Sequence, residues 1–93
     1  MAVVKQTYTR PSTNVDWYYP PESEKNYINE TYPNLVFGYE TEGDLVFIKT
    51  RTGSLEECQL LYNDFNNMSS NIFTARRKYF TDNSISTTFE LIE

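Results

Sequence analysis

The sequence predicts an α+β domain in which an antiparallel sheet carries two helices on one face. Apolar and β-branched residues alternate in several short stretches, as in half-buried strands, and two other stretches have the apolar spacing of a helix. In chain order they read strand, helix, strand, strand, helix, strand, plus an extra C-terminal strand, which is the split βαβ, or ferredoxin-like, order. With 93 residues, 39% hydrophobic and 23% charged, the chain is predicted to form a single domain, residues 1–93.

The first strand and the first helix flank a segment rich in aromatic residues. Residues 2–10 alternate and include several β-branched side chains, so they predict a strand. Pro21 suits the first position of a helix, and Glu22 and Glu24 suit the positive end of the helix dipole. The helix is expected to run to about Tyr32, because the next residue is a proline.

A hairpin is predicted from the stretch LVFGYETEGDLVFIKT, in which strands 35–41 and 45–51 flank Glu42-Gly43. A two-residue turn at this position is a common way to join antiparallel strands. The expected pairs are Tyr39 with Val46 and Phe37 with Ile48. These four side chains and Leu35 then share one apolar face, which is expected to point into the core.

The second helix has the clearest local signals. Ser54 and Glu57 form a capping box at its start, and Asn66 or Asn67 is expected to end it in a left-handed conformation. Cys58, the only cysteine, is expected to be a small buried hydrophobic residue. The apolar stripe that fits helical spacing is Leu55, Cys58, Leu61, Tyr62, Phe65 and Met68.

Residues 72–92 are predicted to form a final hairpin around residues 81–83. Register decides which side chains are buried, because a shift of one residue turns each side chain to the other face. A two-residue turn would bring Arg76 and Lys78 onto the apolar face, so we prefer a three-residue loop, which leaves both outside. The apolar group is then Phe73, Ala75, Tyr79, Ile85, Phe89 and Leu91. A helix over 70–80 is the alternative, because Ile72, Ala75, Tyr79 and Phe80 also fit its period.

The composition argues against catalysis and against a metal or another cofactor. The chain has no histidine, the commonest general base and zinc ligand, and one cysteine forms neither an internal disulfide nor a cysteine metal cluster. A net charge of −5 disfavours non-specific binding to nucleic acid or anionic membranes. The lack of histidine therefore leads us to expect a non-enzymatic protein. The sequence shows no membrane-spanning apolar run and no signal peptide, so we expect cytosol-like surroundings.

The stretch NVDWYYPPE places three aromatic residues, Trp17, Tyr18 and Tyr19, next to each other. Neighbouring side chains of an extended segment alternate in direction, so Tyr18 is expected to point opposite to the other two. The three rings then cannot all enter one core. Tyrosine and tryptophan are favoured at protein interfaces. We therefore expect at least one of these rings to lie at a surface that contacts another molecule.

Two further groups of residues are candidates for partner contact. Tyr8 on the first strand and Phe47 on the third are expected to project from the sheet face that the helices leave open. This layout is similar to an RNA-recognition motif, whose first and third strands present rings that stack on bases, and it implies single-stranded nucleic-acid binding as the alternative function. Arg76 and Lys78 point the same way on a strand and are expected to contact an anion or an acidic partner.

The opening stretch MAVVKQTYTRPST, together with the high asparagine and tyrosine content, resembles small proteins of tailed phages of marine bacteria. Many such proteins are virion components. The resemblance implies a minor structural protein, found in the host cytoplasm and the assembled virion, that binds other virion proteins or further copies of itself. The residues expected to contact the partner are Trp17, Tyr18, Tyr19, Tyr8, Phe47, Arg76 and Lys78.

Overall fold

The computed structural model describes every residue from Met1 to Glu93 and has an α+β fold with one four-stranded sheet and three helices. The strands are β1 (Ala2–Thr9), β2 (Val36–Glu42), β3 (Val46–Gly53) and β4 (Ser86–Ile92). The helices are α1 (Glu22–Thr31), α2 (Leu55–Phe65) and α3 (Thr74–Asp82). All neighbouring strands are antiparallel, and their order across the sheet is β2-β3-β1-β4.

The core lies between one face of the sheet and the helices. β1 runs between β3 and β4, and every second residue from Ala2 to Tyr8 is buried. This is the pattern of a strand with one covered face, as the alternation predicts. The larger apolar cluster consists of Ala2, Val4, Ile28, Tyr32, Leu35, Cys58, Leu61, Phe65 and Phe73. The smaller cluster consists of Tyr8, Phe80 and Ile85.

Helix α2 begins as predicted and buries Cys58, Leu61 and Phe65, but Leu55 and Met68 of the predicted stripe are exposed, and the helix ends differently. Ser54 Oγ accepts a hydrogen bond from the Glu57 amide at 3.2 Å, and Cys58 is fully buried. Asn66 has φ −87°, so the left-handed ending is wrong. The Asn66 side-chain amide instead donates to the Tyr62 carbonyl oxygen at 2.9 Å and satisfies an acceptor in the last turn directly.

Two tyrosine hydroxyls fix α1 to α2. Tyr27 and Tyr32 donate hydrogen bonds to the same carboxylate oxygen of Asp64, at 2.6 and 2.8 Å. Burial and the Asp64 carboxylate both raise the pKa of Tyr32, so this hydroxyl keeps its proton as a donor. The predicted start and end of α1 agree with the structure to within one residue of each bound.

The hairpin of β2 and β3 is confirmed, but its loop is longer than predicted. Glu42 pairs with Val46, so three residues, from Gly43 to Leu45, form the loop. Gly43 has φ 65°, a conformation that glycine adopts without steric cost. The Leu45 carbonyl oxygen accepts a hydrogen bond from the Arg10 amide at 2.9 Å, which ties this loop to the end of β1.

The longer loop removes two aromatic residues from the predicted core. Tyr39, expected opposite Val46, pairs with Lys49, three positions further along β3. A shift by an odd number of residues reverses which side chains share a face. Phe37 and Tyr39 therefore lie on the helix-covered face, but at its uncovered edge, where they are 47% and 68% exposed.

The predicted C-terminal hairpin and its extra strand are wrong, and the alternative, a helix over 70–80, is confirmed in part, because residues 74–82 form helix α3. Phe73, Arg76 and Phe80 have helical spacing and are 1%, 4% and 9% exposed. The middle residue of this buried stripe is an arginine, which makes the segment look like a surface strand in the sequence. Arg76, which we expected outside, is one of the most buried charged residues of the domain.

Arg76 forms an ion pair inside the domain with Glu24 of α1. Arg76 Nε lies 3.6 Å from Glu24 Oε1, and the side chains are 4% and 1% exposed. Arg76 Nη2 also donates to Tyr8 Oη at 2.7 Å, and Tyr8 in turn donates to Gln6 Oε1 at 2.9 Å. Tyr18 Oη donates to Glu24 Oε1 at 3.4 Å. These five side chains form the polar centre, which connects α1, α3, β1 and the aromatic segment.

We expect Arg76→Met to lower the free energy of unfolding by about 3–5 kcal/mol, because it leaves the Glu24 carboxylate buried without a counter-ion. The double variant that adds Glu24→Gln should lose less than the sum of the two single losses, since neither charge then remains unpaired. Urea denaturation measures all three values. Lys78→Met is the matched control on α3, because Lys78 pairs only with Asp82 at the surface and its loss should change stability little. Additive losses would contradict the prediction.

Candidate functional site

The segment between β1 and α1 closes a pocket of about 200 Å³ against the sheet and α3. Its walls are mainly aromatic, and one lysine amine is the only charged group on them. We call this the aromatic pocket. The residues that line it are Tyr8, Trp17, Tyr18, Tyr19, Pro20, Phe47, Lys49 and Phe80.

Arg10 holds the aromatic segment in place. Its Nη1 donates to the Val15 carbonyl oxygen at 2.9 Å, and its Nε donates to the Asp44 carbonyl oxygen at 2.8 Å. Its guanidinium carbon lies 4.5 Å from the centre of the Trp17 ring, within the range of cation–π attraction. At the other side, Tyr79 Oη donates to the Asp16 carbonyl oxygen at 2.5 Å. The segment is therefore attached to the β2–β3 loop and to α3.

The three adjacent rings have different environments. Trp17 packs on Phe47, with ring centres 5.7 Å apart. Tyr18 packs on Phe80 with ring centres 5.6 Å apart, and its hydroxyl bonds to Glu24. Tyr19 is 80% exposed. Two rings therefore pack on the domain, and the third is left at the rim of the aromatic pocket.

Lys49 lies at the base of the pocket, close to the polar centre. Burial lowers the pKa of its amine to about 8, and the positive charges of Arg76 and Arg51 act in the same direction, while Glu24 opposes them. The amine is therefore still largely charged at neutral pH and loses its proton about one pH unit above it. Burial also raises the pKa of Tyr8 and of Tyr18 to about 12, so both hydroxyls remain hydrogen-bond donors.

A row of rings continues from the pocket to the free edge of the sheet. Tyr39 stacks on Phe47, with ring centres 5.8 Å apart and planes 11° apart, and Phe37 follows at 6.1 Å from Tyr39. The Arg51 guanidinium carbon lies 4.8 Å from the centre of the Phe37 ring. We call Trp17, Phe47, Tyr39 and Phe37 the ring row.

The structure brings together five of the seven residues predicted to contact a partner and places the other two elsewhere. Trp17, Tyr18, Tyr19 and Phe47 line the aromatic pocket. Tyr8 also lines it but faces the helices, not the open face, and is only 3% exposed. Arg76 is buried in the polar centre and Lys78 lies on the outer side of α3. The prediction that Tyr8 and Arg76 are exposed is therefore wrong.

The open face of the sheet carries no aromatic ring. Register places Thr7, Ile48 and Thr88 in one row across it, and the neighbouring rows are likewise β-branched or charged. Tyr8 and Phe47 pair with each other across β1 and β3, but on the covered face, so the prediction that they project from the open face is wrong. The layout of exposed stacking rings that an RNA-recognition motif needs is therefore not present on this face.

Sequence reasoning missed the contribution of Phe37, Tyr39 and Arg10. The two rings alternate with polar residues along an apolar stretch, so they carry the same signal as core residues. Arg10 follows the last residue of β1 and gave no signal of its own. One sequence signal for an interaction edge was present: VFGYETE contains no lysine or proline. Edge strands commonly carry these residues to prevent pairing with another chain.

Comparison with protein-family models, with curated proteins and with solved structures finds no match for this chain. No group of three or more histidine, cysteine, aspartate or glutamate side chains is arranged to hold a metal ion. None of the helices has the length and apolar character needed to cross a membrane.

The environment of Lys49 predicts a stability that rises with pH. The amine keeps its proton up to about pH 8 when folded and up to 10.5 in the unfolded chain, so the unfolded state binds more protons between these values. The free energy of unfolding should therefore rise by about 1–2 kcal/mol, after solvent screening, as pH increases through this window. This gain should be lost as pH falls through the same window.

Urea denaturation between about pH 7.5 and 9.5 measures this rise below the range in which tyrosines titrate. Lys49→Met should be more stable than the wild type at the lower pH and should lack the rise. Lys5→Met, on the open face of the same strand pair, is the control and should keep it. An equal rise in Lys49→Met and in the wild type would assign the effect to another group.

Proposed function

We propose that this is a non-enzymatic interaction protein that binds an extended segment of another protein along β2 and in the aromatic pocket. The observation that supports this most strongly is the exposure of Phe37 and Tyr39, at 47% and 68%, on an edge strand. The two rings and Phe47 form a continuous row that leads into the aromatic pocket. A contiguous exposed apolar surface next to a concave site is typical of a protein interaction site.

The two edges of the sheet differ in a way that favours β2 as the binding strand. β2 exposes Val36 (66%) as well as Phe37 and Tyr39, and it contains neither lysine nor proline. The exposed positions of β4 are polar or charged except for Ile92. An edge strand with free backbone groups and apolar side chains is suited to the addition of a further strand from a partner.

The charges around the ring row favour an acidic segment. Arg10, Lys49 and Arg51 lie beside the rings on the helix-covered side of β2 and β3. The acidic residues of β2, Glu40 and Glu42, pair with Ile48 and Val46 and so face the open side. A partner segment on the ring side therefore meets positive charge, although the chain as a whole is acidic. The aromatic pocket then accepts one apolar side chain of that segment as an anchor.

Selection of random displayed peptides on the immobilised protein tests the proposal. We expect the enriched peptides to combine one large apolar residue with neighbouring aspartate or glutamate. Tyr39→Ser and Lys49→Met should each weaken binding of such a peptide by about tenfold or more, because they remove ring surface and positive charge. Ile92→Ser, an exposed apolar residue of the opposite edge, is the matched control and should bind like the wild type.

Other outcomes would contradict either the site on β2 or the acidic protein segment that we propose binds there. Peptides without a common pattern, or equal losses for Tyr39→Ser and Ile92→Ser, would remove the site itself. A dimer in native mass spectrometry that Tyr39→Ser dissociates would place a second copy on β2. Binding of a single-stranded oligonucleotide that weakens steeply with salt would favour nucleic acid.

Single-stranded nucleic-acid binding is the second candidate, and one observation favours it. The ring row and its three cations form the only aromatic and basic strip at a sheet edge. Base stacking needs free ring faces. The face of Trp17 is covered by Arg10, and Phe47 and Tyr39 stack on each other. The strip therefore offers mainly ring edges, which suit apolar side chains better than bases.

The fold and the origin of the chain complete the proposal. The strand order β2-β3-β1-β4 supports a variant of the split βαβ arrangement in which α3 is inserted between α2 and β4. The N-terminal resemblance supports a minor structural component of a tailed-phage virion, with other virion proteins as partners. Mass spectrometry of purified particles from the native source tests that origin, and absence of the chain from them would exclude it.

A further inference from the structure

A second cavity, of about 300 Å³, lies on the other side of the polar centre, between α2, α3 and β4. Its walls are formed largely by Phe65 of α2, Phe73 and Phe80 of α3 and Phe89 of β4. Phe65 and Phe89 stack with ring centres 5.2 Å apart and planes 4° apart, which gives the cavity a flat apolar wall. The volume is at the lower end of the range that small-molecule sites occupy. We call this the phenylalanine cavity.

Two polar groups of this cavity lack hydrogen-bond partners although they are buried. Arg76 is 4% exposed, and its Nη1 and Nε have no hydrogen-bond partner, since Glu24 Oε1 at 3.6 Å from Nε is too distant. Thr87 Oγ1 is likewise buried and unpartnered. Both residues line the phenylalanine cavity. Buried polar groups in folded proteins are almost always paired, so these atoms indicate a missing acceptor.

The charges indicate that this acceptor is an anion. Arg76 and Arg77 line the cavity and no carboxylate does. In the neighbouring polar centre, Glu24 is the one carboxylate that acts on Lys49, whereas Arg76 and Arg51 add positive charge there. The interior therefore holds more cationic than anionic groups. This excess is unusual in a chain with 13 acidic and 8 basic residues. It arises because nearly all the acidic residues lie at the surface.

We infer that the phenylalanine cavity binds a small amphipathic carboxylate, with its headgroup beside Arg76 and Thr87 and its apolar chain between the rings. A carboxylate accepts hydrogen bonds from both a guanidinium and a hydroxyl, and its charge offsets the excess positive charge of the interior. The walls bind the apolar chain by burying it. The inference concerns a site separate from β2 and the aromatic pocket, and it stands whether or not a protein segment binds there.

Isothermal titration with octanoate and with 1-octanol tests the inference, because the two probes share an apolar chain and differ in charge. We expect the wild type to bind octanoate at least about tenfold more tightly than octanol. Thr87→Val removes one donor at nearly constant volume and should lower octanoate affinity about tenfold while leaving octanol binding unchanged. It should also leave the fold intact, because the hydroxyl it removes has no partner in the domain.

Thr88→Val is the matched control, since Thr88 is the next residue of β4 and faces the open side of the sheet. It should bind octanoate like the wild type. Equal affinities for octanoate and octanol, or no octanoate binding, would overturn the inference. So would wild-type octanoate affinity in Thr87→Val, or a loss in Lys49→Met that Thr87→Val does not share, because the second result would place the anion in the aromatic pocket.

Discussion

The buried contact between Glu24 and Arg76 is the constraint on which the arrangement of the helices depends. In α1 only Glu24 and Ile28 are buried, and in α3 only Arg76 and Phe80. Neither helix therefore has the broad apolar stripe that usually holds a helix on a sheet. Each is oriented instead by one charged side chain that must find its partner, since an unpaired buried charge is far more costly than an unfilled apolar contact.

The same contact divides the interior into two parts and creates the two cavities. The Arg76 guanidinium carbon lies 5.0 Å from the centre of the Phe65 ring in the larger cluster and 5.6 Å from that of the Phe80 ring in the smaller one. A polar group at this position cannot be packed over by apolar side chains on every side. One cavity lies towards the aromatic segment and the other towards β4, and the polar centre contributes Tyr8 and Tyr18 to the first and Arg76 to the second.

How much could be predicted depends on whether a signal is local. β1 and α2 follow from alternation, from helical spacing and from the Ser54 cap, all of which act within one segment. The register of β2 on β3 depends on the length of the loop, three residues and not two, and the sequence around Glu42-Gly43 fits either length. α3 depends on burying Arg76, and sequence patterns assign arginine to the surface. The elements were therefore largely predictable, while α3 and the register were not.

The candidate site was predictable to the same extent and for the same reason. Alternation along NVDWYYPPE predicts that Tyr18 differs from its two neighbours, but Trp17 and Tyr18 both pack on the domain and Tyr19 is the ring left exposed. Phe37 and Tyr39 have the pattern of core residues, and only the register, fixed elsewhere, brings them to the sheet edge. Moving them there costs the monomer buried apolar area. Tyr39 stays 68% exposed although Phe47 and Phe37 stack on it, and covering this apolar surface is what the proposed partner segment would contribute.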